Sequence, residues 1–309
     1  MRISLLCGGG GVPRGALALY ENLPQHDLTF LVNTGDDFTH LGLEIWPDWD
    51  TIVYHLSGHQ DATRGWGRFD EGERVMEELR RFSAPDWFHL GDRDIALHLY
   101  RTWALKEGVS RGEICRRVCE GFGIASRVLP VMEGGGPTRL LLPDGSVMEF
   151  QEWFVKHQGL PCVQQVLSEN AQRAALTPGV EEALREADLL IFAPSNPYLS
   201  QGPKLENARL REHLSELTLP KIAVSPLVGG KAVKGPLDRL IESLSPHRGQ
   251  QAIADYWAPY AHALLLPEDE LLALEASPLR LLPCPTLLKS AEDRSDFCTQ
   301  LVKLAECLL

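Results

Sequence analysis

Nothing in the sequence approaches the roughly 18 consecutive apolar residues that a membrane-crossing helix requires. The opening stretch Met1–Leu6 runs straight into a glycine cluster and is too short for the apolar region of a secretion signal. The seven cysteines include no Cys-x-x-Cys pair, and Cys115 and Cys119, four apart, have no histidine pattern beside them. That excludes the usual zinc spacings, and an odd number of scattered thiols suits a reducing compartment. A cytoplasmic location is expected. Basic charge is also short: 30 Lys and Arg face 42 Asp and Glu, a net charge of -12. Nucleic-acid polymers are held by basic surfaces, so a polymer partner is excluded. A nucleotide ligand is not, because small phosphates can be held by backbone N–H groups, a few local cations and a metal on carboxylates. An acidic chain that binds a diphosphate is expected to recruit Mg2+. Internal repeats, low-complexity tracts and long charge runs are absent as well.

What is present is ordinary globular composition, 44% hydrophobic over 309 residues, enough to bury a full core. Arg2–Leu6 reads as a buried strand, Cys7–Gly11 as a loop and Arg14–Asn22 as a helix; Leu28–Asn33 is a second apolar strand. Helical spacing dominates Glu71–Phe82, Arg93–Lys106 and Arg111–Phe122. The short runs Ser126–Pro130, Thr138–Leu142 and Ser146–Phe150 follow, with Pro143-Asp144-Gly145 as a hairpin signal between the last two. From Glu181 strands and helices alternate again: strands at Leu189–Ala193, Lys221–Ser225, His262–Leu266 and Leu279–Pro283, helices near Leu205–Glu216, Pro236–Leu244 and Ser290–Leu308. The alternation predicts an α/β, Rossmann-like fold, a mostly parallel sheet with helices on both faces. Residues 1–70 and 157–309 form the expected nucleotide-binding core, and 71–156 a helix-rich inserted lobe with a small hairpin.

Polar clusters fall where strands end. Gly8, Gly9, Gly10 and Gly11 precede Val12-Pro13-Arg14 after the first strand. Glycines let a backbone approach a phosphate, and a following helix N-terminus favours an anion. The GxGxxG fingerprint fits only at Gly8 and Gly10, with Pro13 in the last glycine position, and no Walker Gly-Lys-Ser/Thr follows. A tight strand–helix turn is the plain alternative. Asn33-Thr34-Gly35-Asp36-Asp37 ends the second strand, where adjacent carboxylates are costly unless solvated, paired or metal-bound. They read as a helix-capping turn, a Mg2+ ligand set or a base for a substrate hydroxyl. Asp48-Trp49-Asp50 precedes an apolar helical stretch, where Asp50 is either an N-cap or a ligand group. Asp92-Arg93-Asp94 opens a strong helix: the acids suit caps, and an arginine between carboxylates can be held rigid for phosphate. Pro194-Ser195-Asn196-Pro197 and Ser225–Lys231 end later strands. Ligands of open α/β sheets bind beyond the carboxyl ends of the strands, so these turns are expected to converge there.

Taken together, the segments resemble the 2-phospho-L-lactate transferase family of coenzyme F420 biosynthesis. The resemblance rests on Leu31–Phe38 with His40–Leu43, Pro47–Thr51 followed by Tyr54 and Gly58, and Gly65-Trp66-Gly67. It continues through Trp87-Phe88 with Leu90–Asp94, Phe150-Gln151-Glu152, Ala193–Pro197, Val224–Ala232 and Gly235-Pro236, in the family's order along nearly the whole chain.

The resemblance implies a Mg2+-dependent phosphotransferase for substituted phosphate groups, typically a homodimer. It would move a phospho-lactyl, phosphoenolpyruvyl or 3-phosphoglyceryl group from a guanosine diphosphate adduct to the terminal hydroxyl of the deazaflavin Fo, releasing GMP. Asp36, Asp37 and Asp50 become the implied metal ligands and acceptor contacts, and Arg93 a contact to Fo or phosphate oriented by Asp92 or Asp94. Gly8–Gly11, Arg14, Asn33, Thr34, Ser195, Asn196, Gly229, Gly230 and Lys231 become the implied substrate cradle. Two segments depart from the family pattern: Gly10 and Arg14 stand where Thr and Lys are usual, and Met132–Thr138 lacks the acids of Met-Ser-Asp-Asp-Pro. The alternative is a related gluconeogenesis-factor family of sugar-nucleotide-binding regulators, which shares the glycine loop and the later strand-end motifs. A nicotinamide dehydrogenase, resting on the loose glycine match alone, is the weakest reading.

Overall fold

The computed structural model describes every residue except 9–12, 62, 65, 135, 234, 276 and 308–309. Short runs rich in Leu, Ile, Val and Phe form seven strands: β1 (Arg2–Cys7), β2 (Asp27–Val32), β3 (Arg127–Pro130), β4 (Leu189–Phe192), β5 (Lys221–Val224), β6 (Ala263–Leu266) and β7 (Arg280–Pro283). All pair in parallel, in the order β3-β2-β1-β4-β5-β6-β7. Central parallel strands are covered on both faces, so their sequences are continuously apolar rather than alternating. In β1 only Arg2 reaches solvent, and every residue of β4 is buried.

The period-two geometry of a strand divides these residues between two cores. Ile3, Leu5 and Cys7 of β1 join Phe30 and Val32 of β2 on one face. There they meet α1 (Pro13–Asn22), α2 (Pro47–Leu56), the later helix Arg111–Gly121 and the C-terminal helix Ala291–Glu306 through Leu19, Ile52, Ile114 and Leu301. Leu6, Leu31 and Phe192 face the other way, onto helices Val180–Glu186, Ala208–Glu216, Leu237–Leu244 and Gly249–Trp257. The Rossmann-like sheet with helices on both faces is therefore as the sequence predicts.

The expected inserted lobe, 71–156, is not separate from the sheet. Its helices α3 (Arg74–Arg81), α4 (Asp92–Lys106) and α5, the Arg111–Gly121 helix, lead into β3, which pairs with β2 as an edge strand. Val128 of β3 belongs to the main core. The hairpin across Pro143-Asp144-Gly145 forms as expected from Arg139–Leu141 and Val147–Glu149, with Gly145 at φ +84 supplying the turn. A third strand, Gln165–Leu167, extends that small sheet beyond residue 156. No helix among the described residues is long and apolar enough to cross a membrane.

The strand order sets where a ligand can enter. The chain steps outward from β1 to β2 and β3, then returns to lay β4 on the other side of β1. In open α/β sheets the ligand crevice lies at the carboxyl ends of the strands where the order reverses, which here are β1 and β4.

Candidate functional site

The crevice is built around the end of β1. The Cys7 carbonyl accepts the Asn33 backbone N–H at 2.8 Å and the Lys204 ammonium at 2.6 Å. Gly8 follows, and a side chain there would meet Ser200 Cβ at 2.6 Å and Asp48 Oδ2 at 2.8 Å. Only glycine lets the strand end lie this close to both.

Asn33, the first residue past β2, organises the acids. Its side-chain amide donates to Asp36 Oδ1 at 2.8 Å and Asp48 Oδ2 at 3.0 Å, and its Oδ1 accepts the Gly35 N–H at 3.0 Å. Asp48 reaches this point because Pro47 starts α2 immediately before it, putting Asp48 and Asp50 in the first helical turn. Burial pushes the Asp36 carboxyl well above the usual carboxylate range, the negative charges of Asp48 and Asp37 push it further, and Asn33 and Lys204 pull it back. Burial likewise drives the Lys204 amine down, to about 8, against Cys7, Asp48 and Asp36, which favour its charged form.

The other two expected metal ligands face different partners. Asp37 Oδ2 is taken by Arg111 at the start of α5; burial still raises the Asp37 carboxyl to about 7, with Arg111 opposing. Asp50 is taken by Arg101 of α4, which also donates to the Glu44 carbonyl at 3.1 Å. The Arg101 and Arg111 guanidinium groups lie 4.1 and 4.0 Å from the ring centroid of buried Trp46. Neighbouring His98 is held neutral, its pKa driven well down by burial and by Arg101. Asp36, Asp37 and Asp50 thus do not close on one point: Asp36 is joined with Asp48 instead. Among the described residues, no group of three or more His, Cys, Asp and Glu is arranged to hold a metal. Two carboxylates do suit Mg2+, which keeps much of its shell for water and substrate phosphate oxygens. By this test Asp36 and Asp48 fit the ion.

On the far side of the crevice, Ser195 and Asn196 follow β4. Asn196 caps the turn Pro197–Gln201, accepting the Tyr198 and Leu199 N–H groups at 3.0 and 3.2 Å. Gln201 then donates to Ser195 Oγ at 2.7 Å and to the Leu6 carbonyl at 3.1 Å, tying the loop across the ends of β1 and β4. That tie delivers Lys204.

The remaining expected residues lie in other settings. Arg93 is half exposed and pairs with Asp70 at 2.7 Å. Asp92 accepts the Val75 N–H at 3.0 Å at the start of α3, and Asp94 accepts the Tyr54 hydroxyl at 2.6 Å. Gly229 and Gly230, both at positive φ, form the turn of a two-stranded hairpin, and their N–H groups donate to Glu270 at 2.7 and 2.9 Å. Lys231 and Arg14 are exposed, and Thr34 is buried, its hydroxyl without a hydrogen-bond partner among the described residues. Gly9, Gly10 and Gly11 lie outside the described residues. Lys204, Gln201, Arg101 and Arg111 were not singled out from the sequence. Lys204 interrupts an otherwise apolar Pro-Lys-Leu step, the single local sign of its role.

Comparison with known proteins decides the family. The model of the 2-phospho-L-lactate transferase CofD family matches residues 3–273. The chain belongs to this family. It is 32% identical to the phosphoenolpyruvate transferase of Streptomyces griseus over 99% of both chains. It is 34% identical to the protein of that name from Mycolicibacterium smegmatis, covering 86% of each. Two crystal structures of a UPF0052-family protein from Bacillus halodurans share the fold, with TM-scores of 0.57 and 0.55 at 14% and 15% identity. Each covers 91% of this chain and 87% of the other. As a CofD-family member the protein is a transferase.

Proposed function

We propose that the protein transfers a phosphoenolpyruvyl group from its guanosine diphosphate adduct to the terminal hydroxyl of Fo in coenzyme F420 biosynthesis, releasing GMP. Family membership and the names of the relatives support the reaction class and the choice of acid. The observation that carries the site is the Asn33-bridged pair of buried carboxylates, Asp36 and Asp48, beside Gly8 at the crevice between β1 and β4.

In this reading the acceptor oxygen bonds to the phosphorus that bears the three-carbon acid. The bond from that phosphorus to the bridging oxygen breaks, and GMP leaves with the electron pair. Phosphoryl transfers of this kind are catalysed chiefly by positioning and charge stabilisation, and the acceptor proton departs late. Asp36 and Asp48 are the residues that would hold Mg2+, which supplies charge neutralisation to the diphosphate. Asn33 fixes the two carboxylates in one orientation. Gly8 lets the strand end pack directly against Asp48 and Ser200, and the Gln201 tie keeps the opposite wall in place.

The test is incubation with Fo, Mg2+ and each guanylylated acid in turn, with products identified by mass. Each donor would give GMP and its own phospho-acid ester of Fo; GMP is expected to be released fastest from the enolpyruvyl donor, with the phosphoenolpyruvyl ester of Fo as co-product. Absence of product from all three donors, with stabilisation by a UDP-sugar and not by GDP or Fo, would overturn the transferase in favour of a sugar-nucleotide sensor.

A further inference from the structure

Lys204 has no exposed surface, yet it carries a flexible cationic side chain into the end of a parallel sheet. Among the described residues it donates to the Cys7 carbonyl at 2.6 Å, the same oxygen that fixes Asn33. Asn33 holds Asp36 and Asp48, and Asp48 lies against Gly8, the next residue after Cys7. The two neighbouring arginines are committed elsewhere, Arg111 to Asp37 and Arg101 to Asp50. Two acids buried side by side need a nearby positive charge. Lys204 is placed to be that charge.

We propose that Lys204 is the resident counter-cation of the Asp36–Asp48 pair, a positioning residue that neutralises the carboxylates when no divalent ion does. The idea deepens the metal reading of the same crevice and rests on it for its second consequence only. The first consequence needs no metal. Without Lys204 the acids repel, so the fold is weakened; with one acid also removed, that weakness largely disappears. The second follows from competition, since a site stripped of its ammonium holds more net negative charge and draws a divalent ion more strongly.

The experiment is a double-mutant cycle of Lys204→Met and Asp48→Asn on the full chain, read by thermal unfolding in EDTA and by Mn2+ titration calorimetry. Lys204→Met is expected to lower Tm by roughly 5–10 °C, with a much smaller drop in the Asp48→Asn background. It is also expected to bind Mn2+ at least tenfold more tightly than the parent. Equal Tm losses in both backgrounds overturn the counter-cation, as does Mn2+ binding that depends on Asp48 but is unchanged by Lys204→Met. If neither parent nor variant binds Mn2+, the metal reading of the pair falls, while the unfolding cycle still decides the role of Lys204. Should Lys204→Met not fold by itself, recovery of folded protein in Lys204→Met/Asp48→Asn supports the inference, and its failure to recover overturns it.

Discussion

Asp36 and Asp50 are both buried, and they differ in what answers their charge. Asp50 meets a guanidinium directly, so Asp50→Asn leaves Arg101 charged, buried and short of its partner. Such a loss costs about 3–5 kcal/mol, to be seen as a lower urea midpoint, with no loss of site chemistry beyond that expected from instability. Asp36 meets another carboxylate across Asn33, and its proton affinity is raised on folding. The sign follows from linkage. A carboxyl that holds its proton more tightly when folded contributes most below its unfolded pKa of about 4, and the contribution is lost as the pH climbs. Asp36→Asn should therefore gain stability relative to the parent as pH rises above about 4 in EDTA, while transferase turnover falls by about a hundredfold or more. Parental turnover in Asp36→Asn would remove the residue from the chemistry, and a stability difference flat with pH would remove its repulsion from Asp48.

At the scale of elements, the site depends on three segments far apart in sequence meeting around one turn. Gly35 lies between Thr138, at the start of the small sheet, and Pro203, in the segment that carries Lys204. A Cβ on Gly35 would stand 2.6 Å from Pro203 Cβ and 2.7 Å from Thr138 Oγ1, and Gly35 also accepts the Thr138 N–H at 2.7 Å. Gly35→Ala should thus force the segments apart and cost roughly 1–3 kcal/mol, with weaker GDP binding by calorimetry; parental stability and affinity would show that the turn is not a packing point. This geometry also marks where sequence reading succeeds and stops. The strands were legible because a parallel strand buried on both faces must be apolar throughout, and Asn33, Asp36 and Asn196 were legible as polar residues at strand ends. β3 was misplaced into an insertion because local pattern does not say which sheet a strand joins. The claims on Asp37 and Asp50 come from arginines 74 and 51 residues away, and no local spacing encodes such pairings. Lys204 escaped notice for the same reason: its meaning lies in the Cys7 carbonyl it reaches, 197 residues back along the chain.

The molecule as a whole is a two-faced core, and its cysteines sample that core from several depths. Cys7, Cys115, Cys119, Cys284 and Cys298 are buried, whereas Cys162 and Cys307 are exposed. Burial pushes the thiols of Cys7, Cys119, Cys284 and Cys298 up to about 12, and that of Cys115 well above its ordinary value. Thiolate is the reactive form, so at pH 8 these five should be silent twice over, by protonation and by lack of access. An aromatic disulfide reagent should then titrate two thiols quickly in the native protein and all seven after denaturation, the slow five appearing only as the fold opens. Of the five, Cys7 is the informative one. It ends β1, and its carbonyl anchors both Asn33 and Lys204, so its opening rate reports on the crevice itself. GDP and Mg2+ should slow the reaction of Cys7, followed by peptide mass mapping, more than that of Cys284, just past β7, or of Cys298 on the C-terminal helix. Equal protection of all three would mean that the ligand steadies the whole core rather than this strand end.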